Sequence, residues 1–217
     1  EWNWAAAEQR FRNALSLNPN DSQAYFAYAS DVLLPLGRTE EALEQCRTGR
    51  QLDPLSTAGG LCSAWVLAYA GQPEKAIAEY DTMLASGPAL PIIRGARGLA
   101  YLRIGKFQKA IEDLEVQPPG SPVNPFLAYA YARAGQTEKA VRLELQLDAQ
   151  SRQQYVSPMA LALVHIGLGK KAVALDDLER GVEGHSYNAM YLGMESAFDP
   201  LREEPRFQAL LRKVHLR

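Results

Sequence analysis

The stretch LAYAGQPEKAIAEYDTML, from Leu67 to Leu84, runs small and apolar residues up to Gly71-Gln72-Pro73-Glu74 and then resumes the same texture. The same punctuation recurs as GRTEEA at Gly37, GQPEKA at Gly71, GKFQKA at Gly105, GQTEKA at Gly135 and, more weakly, GKKAVA at Gly169, spaced 34, 34, 30 and 34 residues apart. A fixed period of this length marks an internal repeat, in which each copy is one supersecondary unit.

Apolar residues recur at helical spacing on both sides of each glycine. In the first copy Tyr25, Tyr28, Ala29, Val32 and Leu33 form one stripe, and Ala42, Leu43, Cys46 and Gly49 the next. The glycine stops one helix by taking the left-handed C-terminal conformation. The next helix starts at once, with Thr39, Pro73 and Thr137 as cap or first-turn residues. A second break follows 17 residues later, at Pro54, Pro88 and Pro122. The unit is therefore a pair of helices of roughly 14 residues each, which must stack on neighbours to bury its apolar faces.

Composition sets the outer bounds. The chain has 217 residues, 47% of them apolar and 22% charged, with a formal net charge of −2. That charge gives no electrostatic reason to expect nucleic acid or an anionic membrane surface. No apolar run approaches the ~20 residues of a membrane span. Cys46 and Cys62 form neither a disulfide framework nor a metal-ligand spacing, and are expected as small buried hydrophobes. The chain opens at Glu1-Trp2-Asn3-Trp4 within a helical pattern, so it reads as a fragment, and a cytoplasmic location is expected.

The period, the Gly-x-x-x-x-Ala core and the terminal Asp-Pro or Asn-Pro resemble the tetratricopeptide repeat (TPR). In that family a small residue lies seven before the glycine, here Ser30, Ala64, Gly98, Ala128 and Ala162. An alanine lies five after it, here Ala42, Ala76, Ala110, Ala140 and Ala174. The resemblance implies an all-α, right-handed α-α superhelix, a TPR solenoid of antiparallel helix pairs with a C-terminal capping helix. Residues 1–20 would be the second helix of a truncated repeat. The units would be 21–54, 55–88, 89–121 with a short second helix, 122–154 and 155–186, followed by a helical cap at 187–217. The spacing of 30 drops about one helical turn, which EVQPPGSPVNP explains by stopping that unit's second helix early. In the cap, Phe207, Leu210, Leu211 and Val214 make an apolar stripe.

By the same resemblance the first helix of each unit lines a concave groove. Carried over position by position, the candidate contacts are Trp65, Tyr69, Leu99, Tyr129 and Met159, with Arg103 and Arg133 as anchors for a carboxylate. Asp31 and Trp65 stand where the chaperone-binding members of the family carry asparagine, so that carboxylate clamp is absent. The chain as a whole resembles the C-terminal TPR regions of bacterial multidomain signalling proteins, where they follow winged-helix, serine/threonine kinase or nucleotide cyclase domains. This implies a non-catalytic module that binds a protein or peptide partner. The alternative is an intramolecular or oligomerisation domain that uses its convex face or helix ends. Small-molecule sensing in the groove is a third reading.

Catalytic signals are thin. No Gly-rich phosphate loop, His-x-x-Glu-His, Gly-x-Ser-x-Gly or Cys–His pairing is present, so neither enzyme activity nor a cofactor or metal is expected. His165 falls on a core-facing position and reads as a satisfied buried histidine. Asp176, Asp177 and Glu179 read as the solvated face of one helix.

Overall fold

A computed structural model describes residues 2–87, 90–118, 121 and 124–216. The described residues are α-helical throughout, apart from short turns and helical irregularities, and they group into two compact units, Glu1–Ala96 and Arg97–Arg217.

The first unit contains α1 (Trp4–Leu17), α2 (Ser22–Tyr28), α3 (Thr39–Leu52), α4 (Thr57–Tyr69) and α5 (Pro73–Ser86). α6 (Pro91–Arg103) carries the division between the units. The second unit continues with α7 (Phe107–Leu114), α8 (Asn124–Arg133), α9 (Thr137–Ser151), α10 (Pro158–Gly167), α11 (Lys171–Glu183) and α12 (Pro205–Lys213). Two 3-10 turns, Tyr187–Tyr191 and Ser196–Leu201, lie between α11 and α12. Consecutive helices pack as hairpins: α2 with α3, α4 with α5, α8 with α9 and α10 with α11.

The hairpin turn follows from the glycines. Gly37, Gly71, Gly105, Gly135 and Gly169 have φ between 68° and 78°. The residue after each returns its N–H to a carbonyl five positions back, as in Arg38 N to Leu33 O at 2.9 Å and Lys170 N to His165 O at 2.8 Å. This pairing satisfies carbonyls that a helix end otherwise leaves open. The next helix begins two residues after each glycine, with Thr39, Pro73 and Thr137 in its first turn. A Cβ at Gly135 would meet nothing within 4 Å, so Gly135→Ala isolates the conformational cost alone. The expected loss is about 1–2 kcal/mol, read as a lower denaturant midpoint for the second unit.

The small residues sit at the closest approach of paired helices. Ala42, Ala76, Ala110, Ala140 and Ala174 are all 0% exposed. At Gly98 a Cβ would come within 2.9 Å of Leu114 Cγ, which explains why that crossing takes no side chain. The core of the second unit gathers Ala128, Leu147, Leu161 and Val164 from α8, α9 and α10.

Two helices depart from the repeat. After Tyr28 the first helix of the 34-residue pattern continues as a π turn, Ala29–Leu33, with Leu34 N bonded to Ala29 O at 3.0 Å. Pro35 supplies the reason: it has no N–H for the carbonyl four back, and its ring crowds that carbonyl. α7 ends at Leu114 after 8 residues, where α3 and α5 each run 14. The breaks expected at Pro88 and Pro122 lie outside the described residues; the break at Pro54 lies in the turn after α3.

The cysteines correct the sequence expectation. Cys46 of α3 and Cys62 of α4 form a disulfide, with Cα atoms 5.7 Å apart. Both were expected to be buried and are, but they are bonded rather than free hydrophobes. They lie half a repeat apart on the facing sides of consecutive packed helices, which brings their Cα atoms within the ordinary bridging range. Asp177 is a second correction: it is 1% exposed, whereas its neighbour Asp176 is solvated.

Candidate functional site

In the first unit the aromatic pair is carried by α4. Ser56 caps this helix by accepting from Ala58 N at 3.2 Å. Gly59 lets it approach Arg50 of α3, and Gly60 lets it approach Met83 of α5, so α4 is wedged between its neighbours. Cys62, Ala64, Val66, Leu67 and Ala68 fill those contacts. Trp65 remains half-buried, its ring 4.7 Å from that of Tyr69, which is buried. The i, i+4 spacing stacks the two rings along one face of the helix.

In the second unit the candidates go separate ways. Leu99 is buried, and Met159 is 3% exposed beneath Gly181 of α11, where a Cβ would come within 2.7 Å of its sulfur. Tyr129 lies against Gly167 of α10, and burial pushes its phenol pKa up, with Glu195 and Asp199 adding to the push and Arg133 opposing it. Arg133 is exposed, with its guanidinium 5.4 Å from the Phe107 ring centroid.

Arg103 is the informative case. Its side chain is 10% exposed, and it donates from Nη1 to Met194 O at 2.9 Å and from Nη2 to Glu195 Oε2 at 3.5 Å. Glu195 Oε1 meanwhile accepts from Ala197 N at 3.3 Å, capping the following 3-10 turn. Arg202 secures the same loop by donating to Gly193 O at 3.0 Å. The arginine assigned to a partner's carboxylate therefore holds a carboxylate from this chain, some 90 residues on. No periodic signal in the sequence points to Met194, Glu195 or Arg202; only the departure of that segment from the repeat marks it.

The arrangement offers aromatic surface and hydrogen-bonding cations. Among the described residues, no group of three or more His, Cys, Asp or Glu side chains has a geometry suited to a metal ion. No described helix is long and apolar enough to cross a membrane.

Residues 63–122 match a tetratricopeptide-repeat family model, and residues 11–44 match a second one. Both segments are similar to tetratricopeptide repeats. No curated protein matches it significantly. Among solved structures, a tetratricopeptide repeat protein from Parabacteroides merdae ATCC 43184 is 19% identical with a TM-score of 0.57, covering 98% of this chain and 86% of the other. PilW, a type IV pilus biogenesis factor, is 20% identical with a TM-score of 0.57, covering 96% of this chain and 90% of PilW. At such identities the likeness shows the fold, which is that of an all-α TPR solenoid. TPR units typically form non-catalytic scaffolds for protein–protein interaction.

Proposed function

We propose that this chain is a non-catalytic TPR module that binds a protein or peptide segment along its first-helix face, with Trp65 and Tyr69 of α4 as the principal contacts. The observation that carries this reading is the half-buried Trp65, stacked on the buried Tyr69 ring, on a helix otherwise committed to packing. A rigid aromatic anchor of this kind supplies most of the binding energy in many interfaces. In the second unit, Leu99 and Met159 act through packing.

A second reading is favoured by one observation. The contact of Arg103 with Met194 and Glu195 supports an intramolecular role for the second unit. The two readings divide the molecule: the first unit for a partner, the second for the chain itself. The resemblance to C-terminal TPR regions of bacterial multidomain signalling proteins supports a regulatory place within a larger protein.

The compartment proposed here is not the cytoplasm expected from the sequence. A buried disulfide joining the only two cysteines supports an oxidising compartment, because cytosolic thiols are kept reduced.

The test is affinity capture from a bacterial lysate with the wild type, Trp65→Ala and Arg103→Ala chains, each checked for a folded melting profile. Trp65→Ala is expected to lose the captured protein, with at least about a tenfold drop in affinity, since truncated interface aromatics cost about 2 kcal/mol or more. Arg103→Ala is expected to retain it. Equal capture by all three chains would remove the binding site from α4.

A further inference from the structure

His165 of α10 is 8% exposed and lies between two carboxylates from different helices. Its Nδ1 is 2.5 Å from Asp177 Oδ2 of α11, and its Nε2 is 3.2 Å from Glu144 Oε1 of α9. Asp177 is 1% and Glu144 6% exposed. Each carboxylate also accepts from a cation at the margin: Lys170 Nζ donates to Glu144 Oε1 at 2.5 Å, and Arg180 donates to Asp177 Oδ1.

Hydrogen-bond inventory decides the protonation state. A carboxylate that accepts from a cation has no proton to offer, and a neutral imidazole carries a single N–H. Neutral His165 could donate to one carboxylate and would face the other with lone pair against lone pair. The imidazolium satisfies both at once. We propose that His165 is a proton-operated clamp: protonated, it ties α9, α10 and α11 together, and on losing its proton it releases one of the two joints.

The groups around His165 come from several elements. α11 contributes Asp177 and Arg180, with Lys170 at its start, while its Asp176 and Glu179 turn to Arg206. α9 contributes Glu144. On α8, Tyr131 donates to Glu115 at 2.5 Å, and Tyr129 interacts with Arg133, with Glu195 and with Asp199 of the second 3-10 turn. The His165 pKa is raised from its ordinary 6.5, chiefly by the hydrogen bond to Asp177. Burial opposes the rise, the charges of Asp177 and Glu144 add to it, and Lys170 subtracts.

The sign follows. A group whose pKa is higher folded than unfolded contributes stability that is complete below the unfolded value and is lost as pH rises through the folded value. The His165 contribution to the second unit's stability is therefore complete below 6.5 and is lost as pH climbs through the His165 titration. The unfolding equilibrium constant is accordingly larger on the alkaline side of the His165 titration.

The experiment is an NMR titration of the imidazole nitrogens in the intact chain, with His165 assigned by its loss in His165→Gln, paired with denaturant midpoints across the same pH range. The expected result is an upward-shifted His165 titration with both ring nitrogens protonated below it. The wild-type midpoint should fall as His165 deprotonates, and His165→Gln should lose that fall. Titration at or below 6.5, or an equal fall in the variant, would overturn the proposal. Should His165→Gln not fold, the wild-type titration decides by itself, with assignment by Asp177→Asn.

Discussion

Phe207→Ala is expected to lower the stability of the second unit by about 3–5 kcal/mol, the usual cost of emptying a buried aromatic site. Phe207 is 0% exposed, its ring 6.3 Å from Phe198 of the preceding 3-10 turn. With Leu210, Leu211 and Val214 it forms the stripe by which α12 closes on α11. The same joint carries ion pairs: Arg206 with Asp176 and Glu179, and Lys213 with Glu183 at 3.3 Å. These are exposed to solvent, where side-chain ordering offsets most of the Coulomb gain. Arg206→Ala should therefore barely move the denaturant midpoint that Phe207→Ala displaces strongly. Equal effects would mean that charge rather than packing seats the cap. A terminal repeat whose outer face lacked such a cover would present its apolar side to water.

Reducing the disulfide is expected to cost the first unit about 3 kcal/mol, the loop-closure value for a bridge across ~15 residues, with Cys46 and Cys62 separated by 16. The gain comes mainly from restricting the unfolded chain, and the native geometry at the α3–α4 joint should survive reduction. Both sulfurs are buried among α3 and α4, so reductant should act slowly until the unit opens. Two measurements check this: denaturant midpoints with and without reductant, and thiol labelling in denaturant. No thiol should label before reduction. Two labelling thiols in freshly purified, unreduced protein would contradict the bond and with it the oxidising compartment.

The parts of the fold legible in the sequence are those fixed by local chemistry repeated at a constant interval. Five glycines at the hairpin turns have positive φ because only glycine enters that region without strain, and five alanines fill positions too tight for anything larger. The early end of α7 was likewise written in its proline-rich sequel. What depends on contact between unlike segments was not legible. Cys46 and Cys62 read as two hydrophobes because their pairing is a fact of helix packing rather than of spacing. Asp177 read as solvated because its helix face is set by His165, twelve residues earlier across the hairpin. The assignment of Arg103 to a partner assumed an empty face, whereas residues 193–195, outside the repeat, already lie there. Trp65 and Tyr69 stand i, i+4 on one helix, and their rings meet at 4.7 Å through that local spacing.

A partner bound to this protein leaves a footprint on particular helices. Amide hydrogen exchange of the intact chain, compared with and without the protein it captures, maps that footprint helix by helix. The prediction is protection centred on α4, residues 57–69, with little change in residues 187–201, which are already occupied by intramolecular contacts. Protection confined to second helices such as α5, α9 and α11, with α4 unchanged, would contradict it.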